Sequence, residues 1–562
     1  MIRYILQHID NELILENAPI GWNDLKYTFS RNSTYHGLFR SYSGTLRFVK
    51  DGKTFIDNVV TNFGTEAEIS IKIQELSNIK IWETKVNGIL NFDPETYVRE
   101  LTFTEVNFED SVIHKKLKKR EDLEIAYNRK ETISGVLLPG FANETKTVEL
   151  RGQNSDVADS KAVYPFEAFN RIIQVICDLD YNPVISSILG RPEYNYVEDG
   201  KAANVMLSKG LLMRGFNLAG NQVNEGETNL NLKFKDLFKN FDALFNIGLD
   251  IVYDSTNDRY NVLIEDKNYF FQTNVLFSLG KINDLKQSYD PNLIIENIKT
   301  GYNKFQEKND FGLSEYNNKS EFSTPVSISN TELNLESTYR ADGTAFQLAI
   351  ENRYTGTEEN KTDIDEDIFF IHAFNDSGTL RSVKNENFDL IDGVYGQNPI
   401  LANIYISPAR NMTRWGDRIR AGLKFFEQNG KIRFNKAENL SDLQSQYGEE
   451  TDILYENRDL DISKLKRPIL TGRKIQFNAP LTKEQISILD ANPYGLVEFY
   501  DYIDKKTNYG WIVECSTDRV DKNTNWELWE AATDEQISNN LLYMNGNSIL
   551  LMNGSPLIKV EA

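Results

Sequence analysis

This chain has only two cysteines, Cys177 and Cys515, far apart and set among apolar residues, which excludes a disulfide framework or a redox pair and leaves buried free thiols made in a reducing compartment. Four histidines, His8, His36, His114 and His372, share no ligand spacing, so zinc has no ligand set. No apolar run approaches the roughly 18 residues a membrane helix needs, and the N-terminal MIRYILQHIDNEL has a broken apolar run without a small-residue cleavage site, unlike a secretory signal. P-loop, G-x-S-x-G and dinucleotide signatures are missing. Positive charge is scarce too: the net charge of -21 excludes nucleic acid as a general ligand, because phosphate binding needs a clustered basic footprint. With 14 prolines in 562 residues, the chain also lacks the composition of a disordered tail.

What is present is the material of folded β structure. The sequence is 40% hydrophobic and 12% aromatic, rich in Tyr, Phe, Asn and Thr, and its length predicts about three or four domains. The fold class expected is α+β, predominantly β, with antiparallel β modules, some of them tube-like barrels, and short amphipathic helices in the middle.

Residues 1–135 read as an N-terminal β module. GTLRFV and KTFIDNVV flank Asp51-Gly52 as strands, and EAEISIKIQEL and KIWETKVNGILNF alternate with a period near two. Trp22, Phe29, Phe39 and Phe48 are its core or interface aromatics. Residues 136–282 form an α+β unit. One helical stripe carries Phe166, Phe169, Ile172, Ile173 and Ile176; a second carries Phe234, Leu237, Phe238, Phe241, Leu244 and Phe245, ends at Gly248, and is followed by a hairpin across Asn257-Asp258.

Residues 283–535 form a β-rich domain. NLIIENIKTGYNKFQ predicts a strand pair, Ala341-Asp342-Gly343 a turn, DIFFIHAF a strand, and residues 469–531 the order strand, capped short helix, hairpin, strand. Residues 536–562 are a tail in which Met-Asn-Gly recurs at 544–546 and 552–554, each Asn-Gly breaking a short apolar strand. Standing alone, such a tail would expose strand edges, so it is expected to dock on another chain or on trimer mates.

The most sharply specified stretch is SPARNMTRWGDRIRAGLKFFEQNGKIRFN, Ser407 to Asn435. Ser407 suits an N-cap and Pro408 the first helical position. Met412, Trp415, Ile419 and Leu423 make an apolar stripe, Gly422 can close the helix, and Asn429-Gly430 suits a hairpin. Arg410, Arg414 and Arg418 step by four along a neighbouring face. With Trp415 they are the candidate assembly contact, meeting carboxylates of this chain or of a neighbouring subunit; a solvated face is the plain alternative.

Catalytic chemistry has little to stand on. Asp363, Asp365 and Asp367 alternate like the start of a calcium loop, but Ile368 replaces the turn glycine and Phe374 the closing Glu. No catalytic, cofactor-binding or metal residue is assigned.

TVELRGQ with YPFEAFNRIIQVICDL, then NLNLKFKDLFKNFDALFNIGLDIVYD, IKTGYNKFQEKNDFGLSEYNNKSEF, STYRADGTAFQLAIENR, DIFFIHAF and ISPARNMTRWGDRIRAGL together resemble virion structural proteins of tailed phages that infect Bacteroidetes, over roughly residues 140–440. The helix, glycine and hairpin at 232–264 are similar to the insertion domain of tail-hub proteins. That resemblance implies a non-enzymatic hub or baseplate subunit at the end of the tail tube, homotrimeric, with two tube-like barrels per chain. Its partners would be tube and fibre proteins, with DNA passing a lumen unbound, no membrane and no cofactor, in a virion tail assembled in the host cytoplasm. A receptor- or carbohydrate-binding tail protein is the first alternative, favoured by the Tyr, Trp and Asn content. A glycoside hydrolase is the second, since paired carboxylates are recognisable only by their separation in space.

Overall fold

The structure, a computed structural model, describes residues 2–22, 25–76, 80–92, 97–109, 112–126, 131–133, 136–138, 145–153, 156–216, 230–254, 257, 259–282, 284–306, 315–328, 330–353, 363–384, 391–396, 400–423, 430–435, 443–451, 453–518, 523–532, 543–545, 548–550 and 556–559. It is predominantly β with several antiparallel sheets and short helices, the class the sequence predicts.

The N-terminal module uses β1 (Ile2–His8), β2 (Asn11–Ile14), β5 (Thr45–Val49), α1 (Lys50–Phe63), β6 (Ser70–Leu76), β7 (Trp82–Asn91), β8 (Val98–Arg99) and β9 (Phe103–Glu109); between β2 and β5 lies a hairpin, β3 (Lys26–Arg31) and β4 (Leu38–Ser43). The strand order β2-β1-β6-β7-β9-β5 is drawn into a ring, because Ile20, just past β2, exchanges both backbone hydrogen bonds with Arg47 of β5 at 2.9 Å. KTFIDNVV is not a strand. Ile56 and Val59 recur at helical spacing and are buried in α1, so burial of a three-residue period overrides the Asp51-Gly52 turn signal. Trp22, Phe29 and Phe48 are buried core residues, while Phe39 is half-buried.

In the middle, α2 (Pro165–Cys177) and α3 (Phe234–Phe245) bury both predicted stripes and meet through Phe169, whose ring centroid lies 5.7 Å from that of Phe241. Helix α3 ends at Asn246, whose left-handed φ of 55° closes it; Gly248 already belongs to β10 (Ile247–Asp254), which pairs with β11 (Arg259–Asp266) in the expected hairpin. Two further strands, β12 (Val275–Lys281) and β13 (Lys286–Tyr289), precede Asn297–Tyr302. The latter is one strand rather than a pair, since Asp290 caps a 3-10 turn at Pro291–Leu293. The Ala341–Gly343 turn is instead a helix start: Asp342 accepts from Ala345 N and caps α4 (Gly343–Glu351).

After α5 (Pro408–Arg414) and α6 (Gly416–Ile419), the C-terminal module runs β14 (Leu470–Pro480), α7 (Lys483–Ala491), β15 (Leu496–Asp501), β16 (Lys506–Asp518) and β17 (Asn523–Ala531), the predicted order. Its sheet reads β12-β15-β16-β17-β14-β13. The two edge strands are separated in sequence only by Ile282–Leu285, a reach of about 17 Å, whereas the edges of a flat six-stranded sheet stand about 24 Å apart. This wall, too, must curl back on itself.

The two modules repeat one another. Each is strand, helix, three main strands, in the spatial order β6-β7-β9-β5 and β15-β16-β17-β14, the two-residue β8 being an addition at the side of β9 in the first. The register matches residue by residue: Gly88 faces Ile71 as Gly510 faces Val497; Leu90 faces Phe108 as Ile512 faces Leu528; Val106 faces Leu46 as Trp526 faces Phe477; Thr104 faces Phe48 as Thr524 faces Ala479. All the apolar members of these pairs are buried. The modules depart at one strand, since β1 runs antiparallel to β6 but β12 parallel to β15. The chain leaves both at the same place, ahead of β5 through the β3–β4 hairpin and ahead of β14 through residues 290–469.

The hairpin yokes the modules. β3 pairs with the lower half of β16, from Lys26 opposite Asp518 to Ser30 opposite Glu514. Tyr27 Oη donates to Asp490 of α7 at 2.5 Å, and Arg40 pairs with the same carboxylate at 3.0 Å. Gly37 at the turn has no room for a side chain, since a Cβ there would lie 2.1 Å from the Leu249 carbonyl oxygen.

Candidate functional site

The segment read as one helix is two. Helix α5 stops at Trp415, whose φ of -92° and ψ of 6° leave the helical region, α6 follows, and a 3-10 turn spans Arg420–Gly422. Ser407 stands at the N-cap position with Pro408 behind it, but its hydroxyl makes no cap bond and instead accepts from Arg410 Nη1 at 3.3 Å. The apolar stripe is as predicted: Met412, Trp415, Ile419 and Leu423 are all buried. Trp415 lies against α3, with Nε1 3.2 Å from the carbonyl oxygens of Asp242 and Ala243. The hairpin expected about Asn429-Gly430 falls mostly outside the described residues.

The arginines find their partners inside the chain, each differently. Arg410 is buried; it pairs with Glu450 at 2.8 Å, stands 3.6 Å from Glu456 and donates to Ser445 Oγ at 2.6 Å. Arg414 donates to the Tyr405 carbonyl at 2.5 Å, to Asn411 Oδ1 at 2.9 Å and to the Leu244 carbonyl at 3.2 Å. Its guanidinium lies against the adjoining rings of Tyr405 and Phe245, 4.5 and 5.0 Å from their centroids. Arg418 lies over Trp415 at 5.7 Å. Burial pushes Arg414 and Arg418 below the usual arginine value.

Sequence reasoning missed the centre of this seam. Lys267, buried, sits 3.7 Å from the Trp415 centroid and 3.7 Å from Asp242 Oδ1. Burial lowers its ammonium to about 8 despite that carboxylate; burial likewise raises Asp242 and Asp417. Nothing local marks Lys267 in the sequence, because Asp242 and Trp415 lie beyond its own strand and turn and reach it only through tertiary packing. Next to it Arg31 donates to the carbonyls of Ile512, His36 and Phe270 at 2.7–3.0 Å, so the yoke hairpin, the middle and the C-terminal module meet at one polar joint.

The calcium-like aspartates do not converge. Asp363 is exposed, Asp365 pairs with buried Arg214 at 2.6 Å, and Asp367 takes Arg340 at 3.1 Å and Lys304. Arg340 also grips Asp342 through two bonds at 2.8 and 2.9 Å. These carboxylates hold cations of the chain itself. Among the described residues no His, Cys, Asp and Glu cluster could hold a metal, and no helix is long and apolar enough to cross a membrane. Cys177 and Cys515 are buried free thiols, as expected.

No family model and no curated protein sequence matches this chain. Solved structures to which it is similar include tail proteins of prophages. The prophage tail protein gp18 from Listeria monocytogenes EGD-e aligns at 8% identity over 96% of this chain and 97% of its own, with a TM-score of 0.36. The 43 kDa tail protein of prophage MuSo2 from Shewanella oneidensis aligns at 9% identity over 96% and 98%, with a TM-score of 0.33. A tail protein from Neisseria meningitidis MC58 aligns at 6% identity over 95% and 97%, with a TM-score of 0.34. Likenesses this distant do not define a shared fold, and the functional reading rests on the chain's own geometry.

Proposed function

We propose that the chain is a structural subunit of a phage tail, a hub or baseplate protein that sits at the end of the tail tube and connects it to the tip or fibres. The observation that supports this is the doubled barrel: one chain carries two walls with the same strand order and inner register. Three such chains can set six equivalent walls in one ring, which lets a three-fold assembly continue a six-fold tube. The partners are then two further copies of the chain together with tube and fibre proteins, and the working location is the virion tail.

An overall charge of -21 suits a ring through which DNA passes without sticking. The role is mechanical rather than catalytic. Arg410, Arg414, Arg418 and Trp415 serve assembly from within, by fixing the frame that holds the two modules at a set angle. The test is the mass and image of the purified chain. A trimer showing a closed ring of six densities around a channel is expected; a monomer at micromolar concentration, or separate projecting trimers without a channel, would overturn the reading.

A further inference from the structure

Helix α2 meets surfaces of opposite charge at its two ends. Against its first turn, residues 190–200 close a loop on themselves: Gly200 N donates to the Gly190 carbonyl at 2.9 Å, and Tyr194 N and Tyr196 N both return to the Arg191 carbonyl, at 2.8 and 3.2 Å. Side chains pin the loop from beneath. The Tyr194 ring stacks on Phe166 of α2 with centroids 4.5 Å apart and its hydroxyl donates to Glu167, while Tyr196 Oη accepts from Ser186 N at 2.9 Å. At Gly190 no Cβ would fit, since it would meet the Tyr196 ring at 2.5 Å. A loop held this closely is a preformed surface, yet its apex is bare: Val197 is 100% exposed. Around it stand three exposed carboxylates, Glu193, Glu198 and Asp199. Lys146 and Arg191 reach Glu193 and Asp199 only at 3.4–4.0 Å, and Glu198 has no cation partner among the described residues.

The helix Val112–Arg120 crosses the other end of α2, where Arg120 Nη1 donates to the Ile176 carbonyl at 3.0 Å and Lys116 Nζ to that of Cys177 at 3.3 Å. Carboxylates near it are already paired. Lys116 takes Glu68 at 2.6 Å and Asp178 at 3.0 Å, Lys235 takes Glu121 at 3.3 Å and Asp122 at 3.2 Å, and Glu124 stands opposite Lys233 across a strand pair. Lys118 and Lys119 are left exposed and, among the described residues, without a carboxylate. Leu123, just past them, is 46% exposed. This end thus offers what the loop lacks, two free cations beside an apolar side chain.

The thirteen residues of α2 hold the two ends about 20 Å apart, so the patches of one copy cannot meet each other. Patches that fit not themselves but a different patch on the next copy make a heterologous contact, the kind that closes into rings. Single exposed ion pairs add little energy; here they set direction and register, and burial of the bare Val197 adds apolar contact.

We propose that copies of the chain join head to tail through these two ends, the 193–199 loop of one seated on Lys118, Lys119 and Leu123 of the next. The inference rests on the reading of the chain as a ring-forming subunit and names the surfaces that meet.

The test is a charge exchange in the full chain, read by sedimentation. Lys118→Glu with Lys119→Glu, and separately Glu193→Lys with Glu198→Lys, should each raise the concentration at half-assembly about tenfold or more. All four substitutions together should bring it back to within about threefold of the unsubstituted chain. The four sites are exposed, so melting temperatures should not move. In a further chain, Leu123→Cys and Val197→Cys should cross-link under mild oxidation between chains and not within one, Cys177 and Cys515 being buried. Assembly indifferent to both reversals would overturn this proposal and leave the hub reading standing. Loss in both reversals without recovery in the combined chain, or a cross-link within one chain, would overturn the pairing of these two ends. An unsubstituted chain that stays monomeric at micromolar concentration would overturn both readings.

Discussion

The two barrel modules share a strand order and a register but differ in filling and closure, and the contrast separates what the wall requires from what it tolerates. Both place a glycine on the third strand, Gly88 and Gly510, two residues before an inward aliphatic, Leu90 and Ile512. At Gly510 the reason is direct, since a Cβ would lie 2.9 Å from the Leu528 side chain and 3.0 Å from the Trp529 carbonyl. Around that constant, the fillings differ. Val106 in one wall is replaced by Trp526 in the other, and closure by a single bridge at Ile20 is replaced by a full strand at β13. Register is thus set by which positions face inward, while size and closure are free to vary.

The largest expected effect tests whether the matched positions carry matched loads. Trp526 is 2% exposed, stacks near Phe477 and gives its Nε1 hydrogen to the Ala479 carbonyl at 3.1 Å. Trp526→Ala should cost about 3–5 kcal/mol, whereas Val106→Ala at the equivalent place should cost about 2 kcal/mol. Urea melts followed by hydrogen exchange in each module would read both. Equal costs would mean that the register match does not extend to packing.

Neither barrel was fully legible in the sequence, and the reason is physical. A period of two marks EAEISIKIQEL and KIWETKVNGILNF as strands, and the capping box with its flanking hairpin made the C-terminal order readable through residues 470–531. The repeat was invisible because it is written in strand order and inward facing, with Val where the other copy has Trp. The yoke hairpin was equally hidden: β3 reads as part of its own module, yet its partner β16 lies nearly 490 residues on, at Ser516 opposite Thr28. In the seam, Trp415 and the arginine spacing could be read from local pattern. Lys267, Tyr405 and Glu450 could not, since a buried cation is defined by neighbours that only tertiary packing supplies.

The seam sharpens the comparison because both modules hang from it. Lys267 has a folded value lowered to about 8, against about 10.5 unfolded. Its sign follows from proton counting: between those values the unfolded chain holds the extra proton, so stability should rise with pH by up to about 1.4 kcal/mol per unit. Arg31, lowered to about 9 by burial, adds in the same direction. Lys267→Met should flatten the rise measured by denaturant melts from pH 8 to 10; an unchanged slope would place the titration elsewhere. Arg414→Lys should cost about 2 kcal/mol, since an ammonium cannot span the Tyr405, Asn411 and Leu244 acceptors while lying against two rings. Arg414→Gln should cost at least as much. Wild-type stability and assembly in both variants would show that the stack bears no load.

The smallest expected effect lies in the helices that occupy the same topological place. Helix α1 spans 14 residues with no side-chain cap at Val49 and relies on buried Ile56 and Val59. Helix α7 spans nine, buries only Leu489, and starts at a capping box in which Thr482 Oγ1 accepts from Gln485 N at 3.2 Å while Gln485 Oε1 accepts from Thr482 N at 2.9 Å. A helix with one buried anchor depends on its ends, because its first amides have no other acceptor. Thr482→Ala should therefore cost about 1 kcal/mol and speed exchange along the first turn of α7. It should also loosen the yoke, since Asp490 on the same helix holds Tyr27 and Arg40. Val49→Ala ahead of α1 removes no cap bond and should leave the first turn of that helix as protected as before. Equal fraying of both first turns would show that packing, and not the cap, sets where α7 begins.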